Sequence, residues 1–191
     1  MRKRSLAIAC AIGLTLLTAS PAQAAETVPA SGTFSFSTAN GILPTWAQED
    51  IVLIGVSPGS VTTTTTGTTA RVSLPIVAKT GSANAAAGGF RLTNTTTGVS
   101  VRCSSPTIDT IARVVDCVLA DGTNASLFVI SGIRSRSQIK GLSTITAIYR
   151  GVQLRINGQA MADRLNKALG TYSFSPSVTV GIGDLVVTRD R

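Results

Sequence analysis

Short apolar segments that alternate with polar residues recur along most of the chain. Thr33 to Ser37 (TFSFS) has the period of two of a half-buried strand. Asp50 to Ser60 (DIVLIGVSPGS) reads as a strand ended by Pro58-Gly59. The β-branched run Val61 to Val77 supports a strand on either side of Gly67, with Leu74 to Val77 as a further apolar segment. Ser82 to Gly89 (SANAAAGG) reads as a small-residue loop. After it come FRLTN, VSVRC, ARVVDCVLA, SLFVISGI, STITAIYRGVQLRI and TVGIGDLVVTR, each bounded by Gly, Asn, Asp, Ser or Pro. The pattern predicts about nine or ten short strands, at the spacing of an antiparallel sandwich or barrel. No internal repeat and no linker interrupts it, so residues 25–191 are expected to form a single all-β domain.

One segment departs from this period. Within Gln153 to Phe174, Met161, Leu165, Ala168 and Leu169 recur at helical spacing. Asn157 stands where a helix is capped, and Gly170 where a left-handed C-terminal cap is wanted. The pattern predicts one short amphipathic helix just before the last strand. Ala120 to Ser126 (ADGTNAS) predicts a hairpin turn, because Asp and Gly supply the backbone conformations of a tight reversal. One carboxylate and an Asn fall short of a calcium loop.

The first residues add an address. Arg2, Lys3 and Arg4 precede an apolar run from Leu6 to Leu17 and an Ala22-Gln23-Ala24 exit, the order of a secretory signal cleaved before Ala25. Too few residues precede Cys10 for a lipoprotein signal. Past residue 24 no apolar run approaches the roughly 18 to 20 residues of a membrane-spanning helix. The product is expected to be secreted, extracellular or associated with the cell envelope. Two cysteines remain, Cys103 and Cys117, flanking a predicted hairpin. In an oxidising compartment they are expected to pair, contributing roughly 3 kcal/mol through the unfolded state. Aromatic residues are scarce, so Val, Ile, Leu and Ala are expected to fill the core.

Candidate chemistry is narrowed by one absence. The chain holds no histidine, which removes Ser-His-Asp and Cys-His nucleophiles, most catalytic zinc sites and imidazole acid–base work together. Lys79-Thr80-Gly81 and Ser137-Gln138-Ile139-Lys140 match two motifs of penicillin-recognising enzymes, but in the wrong order and in strand-like sequence. The acids Glu49, Asp50, Asp109, Asp116, Asp121, Asp163 and Asp184 fall mostly at turns and strand ends, as solvated surface groups do. A non-catalytic protein is expected. The chain carries 17 Lys and Arg against 9 Asp and Glu, and without Arg2, Lys3 and Arg4 the balance is 14 to 9. No acid lies between Asp121 and Asp163, whereas Arg134, Arg136, Lys140, Arg150 and Arg155 do. That segment suits either the wet side of two strands or a basic surface for an anionic envelope polymer, lipid headgroups or a surface protein. Nucleic acid is not expected, since aromatic stacking positions are missing.

The order of parts resembles a known family. GGFRLTNTTTGVSVRC…VVDCVLADG…SLFVI, followed by Leu154, Ile156, Ala160, Ala162, Leu165, Asn166, Leu169, Gly170, Phe174, Gly181 and Gly183, is similar to secreted actinobacterial proteins of the HtaA-domain type. The resemblance spans roughly residues 88 to 187. It implies a two-sheet antiparallel sandwich whose short helix covers one open end of the core. It also implies haem uptake, through a tyrosine supported by histidine. Here histidine is absent and the segment around Trp46 holds no tyrosine, which leaves Tyr149 and Tyr172 as the candidate haem ligands. Both also suit packing rings with a wet hydroxyl. The leading expectation is an exported binding or structural domain of the envelope, with haem binding through Tyr149 or Tyr172 as the alternative.

Overall fold

The computed structural model describes residues 25–191, so the export segment 1–24 lies outside the described residues. The strands are β1 (Thr27–Thr38), β2 (Ile51–Val56), β3 (Ser60–Thr63), β4 (Ala70–Thr80), β5 (Ala83–Ala86) and β6 (Gly89–Asn94). They continue with β7 (Ser100–Asp109), β8 (Val114–Val118), β9 (Asn124–Gly132), β10 (Ser135–Lys140), β11 (Thr144–Ile156) and β12 (Thr179–Asp190). Two helices interrupt them, α1 (Ile42–Gln48) and α2 (Gly158–Leu169).

The all-β expectation is borne out, but the sheet closes on itself instead of dividing into two layers. Neighbours run β7-β5-β4-β1-β12-β11-β9-β8, and β8 pairs back onto β7 to complete an eight-strand antiparallel barrel. β6 and β2 continue outward from β7, β3 lies beside β4, and β10 lies beside β11. The correction has a physical cause. Register shifts in β1 between Pro29 and Gly32, in β4 between Ile76 and Ala78, in β7 between Ser104 and Thr107 and in β11 between Tyr149 and Val152 bend the long strands. A bulge of this kind increases local twist and lets a strand curl around a core.

Two local readings change with it. The small-residue stretch read as a loop contains β5, which pairs with β4 and β7 and is needed for closure. The segment Ile42–Gln48, not read as a helix, forms α1. Its Pro44 sits in the first turn, where a missing N–H costs nothing.

The barrel interior is a packed core. Phe36 lies 5.7 Å from Phe34, 6.1 Å from Phe90 and 6.3 Å from Phe128, ring centre to ring centre. The five phenylalanines are all buried, so a few rings occupy the centre and the aliphatic side chains fill in around them. The cavity left inside is only ≈ 10 Å³.

α2 explains why a β chain keeps a helix. It buries Ala162, Leu165 and Leu169, and Leu165 reaches the same interior cluster as Phe36, Phe90 and Phe128. Met161, expected to share this role, is only half-buried. Gly170 ends the helix in the left-handed conformation (φ 66°), as expected, with its N–H on the Asn166 carbonyl. Asn157 precedes the helix without a side-chain cap bond, a departure from the expected cap. The Asn94 amide donates to the Leu169 carbonyl at 2.9 Å. Asn166 both donates to the Phe174 carbonyl (2.9 Å) and accepts from its N–H (3.0 Å). Phe174 packs against the buried Trp46 of α1 with ring centres 5.4 Å apart, and the Ser173 hydroxyl donates to the Glu49 carboxylate. Both helices therefore close the same end of the barrel.

Cys103 on β7 and Cys117 on β8 form the expected disulfide across this hairpin, with a Cα–Cα distance of 5.0 Å, inside the core.

Candidate functional site

With the interior filled and one end closed by helices, the other end carries a wide opening. There β11 begins, β4 and β7 finish, and β10 extends alongside β11 past the body of the barrel. A cleft of ≈ 500 Å³ lies between this β10–β11 hairpin and the turns after β4 and β7. It is lined on one side by Arg136, Ala147 and Tyr149 and on the other by Lys79, Ser82 and Ile111.

The register explains the lining. Arg136 pairs with Tyr149, which pairs with the buried Leu185 of β12; one row along, Gln138 pairs with Ala147 and Ala147 with the buried Val187. Directly opposed residues share a face, so Arg136 and Tyr149 lie on the concave side. The Arg136 guanidinium lies 5.8 Å from the centre of the Tyr149 ring, within the range of a cation–π contact. Gly151, with φ 62°, forms the bulge beyond this pair. It reverses the alternation: Tyr149 and Ala147 face inward before it, and Val152, Leu154 and Ile156 after it.

The sequence-derived site residues are thus distributed as follows. Tyr149 and Arg136 meet in the cleft. Tyr172 sits in the loop between α2 and β12 at the helical end, 93% exposed, so the two tyrosines occupy opposite ends of the barrel and do not share a site. Lys140 continues the face of Arg136. Arg150 is turned to the other face, where it pairs with Asp184 at 3.4 Å. Arg155, beyond the bulge, is also on the outer face, and Arg134 packs its Cβ against Gly151. The five cations are therefore divided between two faces. Lys79, which the sequence marked only as part of a misleading motif, belongs to the cleft; its position depends on closure of the barrel and had no local signal.

The two penicillin-enzyme motifs do come together here, without the chemistry. Ser137 and Lys140 lie on a strand, where residues three apart point to opposite faces, and the hydroxyl of Ser82 donates to Asp109 at 2.8 Å. Asp109 is committed to the turn after β7. Burial would raise its pKa, but the amides of Ala112 and Ile111, the Ser82 hydroxyl and the nearby Lys79 outweigh that and hold the carboxyl below its ordinary value. Asp121 is also lowered, by the Thr123 hydroxyl and amide and by Arg164 at 2.8 Å. Four further acids accept hydrogen bonds: Asp50 from Thr96, Asp116 from Ser126, Asp163 from Gln159, and Asp184 from the Gly151 amide. Among the described residues no three of His, Cys, Asp and Glu gather as a metal site. No described helix is long and apolar enough to cross a membrane.

These features define the architectural class as a closed antiparallel barrel with a filled interior, a helical cap at one end and a cleft at the other. No family model and no curated protein matches the chain. Among solved structures it is similar to the haem-binding protein HtaB from Corynebacterium glutamicum, with a TM-score of 0.51 and 12% sequence identity over 87% of this chain and 98% of that one. The likeness bears out, at the level of fold, the resemblance to the HtaA-domain type.

Proposed function

We propose that this chain is an exported, non-catalytic binding domain of the extracellular space or cell envelope, and that its ligand is haem, held in the cleft beside Tyr149. The observation that carries this reading is the convergence of Tyr149, Arg136 and Lys79 on one opening. Its ≈ 500 Å³ falls within the roughly 300–1,000 Å³ of small-molecule sites. The other openings are less suitable: the groove beside α2 measures ≈ 240 Å³, and the ≈ 420 Å³ depression over Asp116 and Asn124 has neither aromatic ring nor cation in its lining.

The donor set suits a flat, anionic macrocycle. A phenolate oxygen is an established ligand of ferric haem. Arg136 and Lys79, on facing walls, supply charge-assisted hydrogen bonds for peripheral carboxylates, and Ile111 and Ala147 supply apolar contact. The structural likeness to a haem-binding protein supports the choice of ligand over other planar anions. Engagement of the acids in turns and hydrogen bonds between side chains supports a binding role over hydrolysis.

Titration with hemin, followed in the Soret region, tests the proposal. A shifted band with tyrosinate character is expected. It should be abolished by Tyr149→Phe and kept by Tyr172→Phe. Arg136→Ala should weaken binding about tenfold, the loss of roughly one charge-assisted bond. An unchanged spectrum, or loss on Tyr172→Phe with Tyr149→Phe unaffected, overturns this assignment.

A further inference from the structure

The β10–β11 hairpin carries a second feature, which does not depend on what the cleft binds. At its tip, between Lys140 and Thr144, Leu142 is fully exposed (101%), and Ile139 on the adjacent strand is 60% exposed. An isolated exposed Leu is ordinary. Here it stands at the apex of a three-strand projection with charge arranged around it.

The register places Lys140 opposite Ile145, and Ile145 opposite Arg189 of β12. The last inward-facing row of the projection therefore reads Lys140–Ile145–Arg189, with Arg136 two positions back on the same face. Arg191 is drawn to the tip, its N–H on the Ser143 carbonyl at 3.0 Å and its guanidinium on the Gly141 carbonyl at 3.5 Å. The acids near this projection are Asp190, across from Thr144, and Asp184, already paired with Arg150. The tip is cationic around an apolar point.

We infer that this hairpin tip docks the protein end-on on an anionic lipid surface, with Leu142 entering the headgroup–acyl boundary and Lys140, Arg189 and Arg191 lying against lipid phosphates. The two parts require the same partner: cations concentrate at a negatively charged bilayer, and an apolar apex gains only where there is hydrocarbon to enter. A soluble polyanion would satisfy the cations and leave Leu142 in water. β10 pairs only with β11 and carries Arg136 and Lys140, and this positive charge opposes pairing of its free edge with a second copy of the strand.

Flotation with phosphatidylglycerol–phosphatidylcholine vesicles, against pure phosphatidylcholine, tests the inference, with each variant compared to the unaltered protein. Binding to the anionic vesicles is expected, weakening as salt rises. Each cation removed should lower partitioning about fivefold, so Lys140→Glu with Arg189→Glu should reduce it well over tenfold. Leu142→Asp should also reduce it, whereas Leu142→Ala should leave the melting temperature unchanged, because the side chain packs against nothing. Unaltered vesicle binding in Leu142→Asp and in Lys140→Glu/Arg189→Glu overturns the inference. So does binding to dextran sulfate that matches vesicle binding and ignores Leu142, which would point to a soluble polyanion as the partner.

Discussion

Replacing Leu165 by Ala isolates what the helical cap contributes. Leu165 is 1% exposed and lies on the side of α2 turned into the barrel, against the ring cluster of Phe36, Phe90 and Phe128. Loss of its isobutyl group forfeits ~2–3 kcal/mol of transfer free energy at ~0.8 kcal/mol per methylene. A cavity contribution follows, because closed strands on every side cannot collapse into the space; in packed cores it is ~24 cal/mol per Å³. The interior holds only ≈ 10 Å³ of free volume, so little of the new void is absorbed by existing slack. A loss of about 4 kcal/mol is expected, in the upper half of the ~2–5 kcal/mol seen for Leu→Ala. At roughly 2–4 °C per kcal/mol for a chain of this size, the melting temperature should fall about 8–16 °C. Urea unfolding followed by circular dichroism measures it, with Met161→Ala as the internal comparison. Met161 is half-buried and should cost about 1 kcal/mol. A Leu165→Ala protein within about 1 kcal/mol of the original, or no less stable than Met161→Ala, would refute the role of α2 as a plug. Leu165→Asp, which buries an unpaired charge, should prevent accumulation of folded protein.

Two further outcomes bear on the scaffold. Replacing Cys103 and Cys117 together by Ala should lower stability by roughly 3 kcal/mol, the entropy of a loop of this size in the unfolded chain, and reduction of the unaltered protein should reproduce most of that loss in a thermal melt. Asp109 should confer a pH-dependent increment. Its folded-state pKa lies below the unfolded value of about 3.9, so its contribution is complete above that value and lost as pH falls through the lower folded pKa. Asp109→Asn should therefore be less stable near neutrality and converge with the unaltered protein in acid. A difference that persists unchanged down to the most acidic pH at which the protein stays folded would mean that the turn depends on the shape of the side chain and not its charge.

Local chemistry made much of the molecule legible in advance. Alternation along Thr33–Ser37 announces a strand because successive side chains leave a strand on opposite faces. Gly170 marks the end of α2 because only a left-handed residue fits there, and Cys103 and Cys117 meet because they flank one hairpin. Three readings failed where the deciding force was not local. Ala83–Ala86 has no strand propensity of its own; it is extended because β4 and β7 offer it hydrogen bonds on both sides. α1 is too short and too uncapped to be stable alone, and forms because Trp46 has Phe174 to pack against. A period of two is also the same whether strands end in two facing layers or in a ring.

The amino-acid order by itself determined an all-β chain with one amphipathic helix, one cystine and no imidazole chemistry. Only tertiary structure decided that the sheet closes, since closure depends on bulges and on pairings such as β1 with β12 between the two ends of the described chain. Closure in turn fixed the candidate site. It gathered four phenylalanines at the centre of the interior, sent Tyr149 and Tyr172 to opposite ends, divided five cations between two faces at the Gly151 bulge, and brought Lys79 across from Arg136. A side chain's face follows from its neighbours in sequence; the company it keeps across a cleft follows from which distant strands share hydrogen bonds.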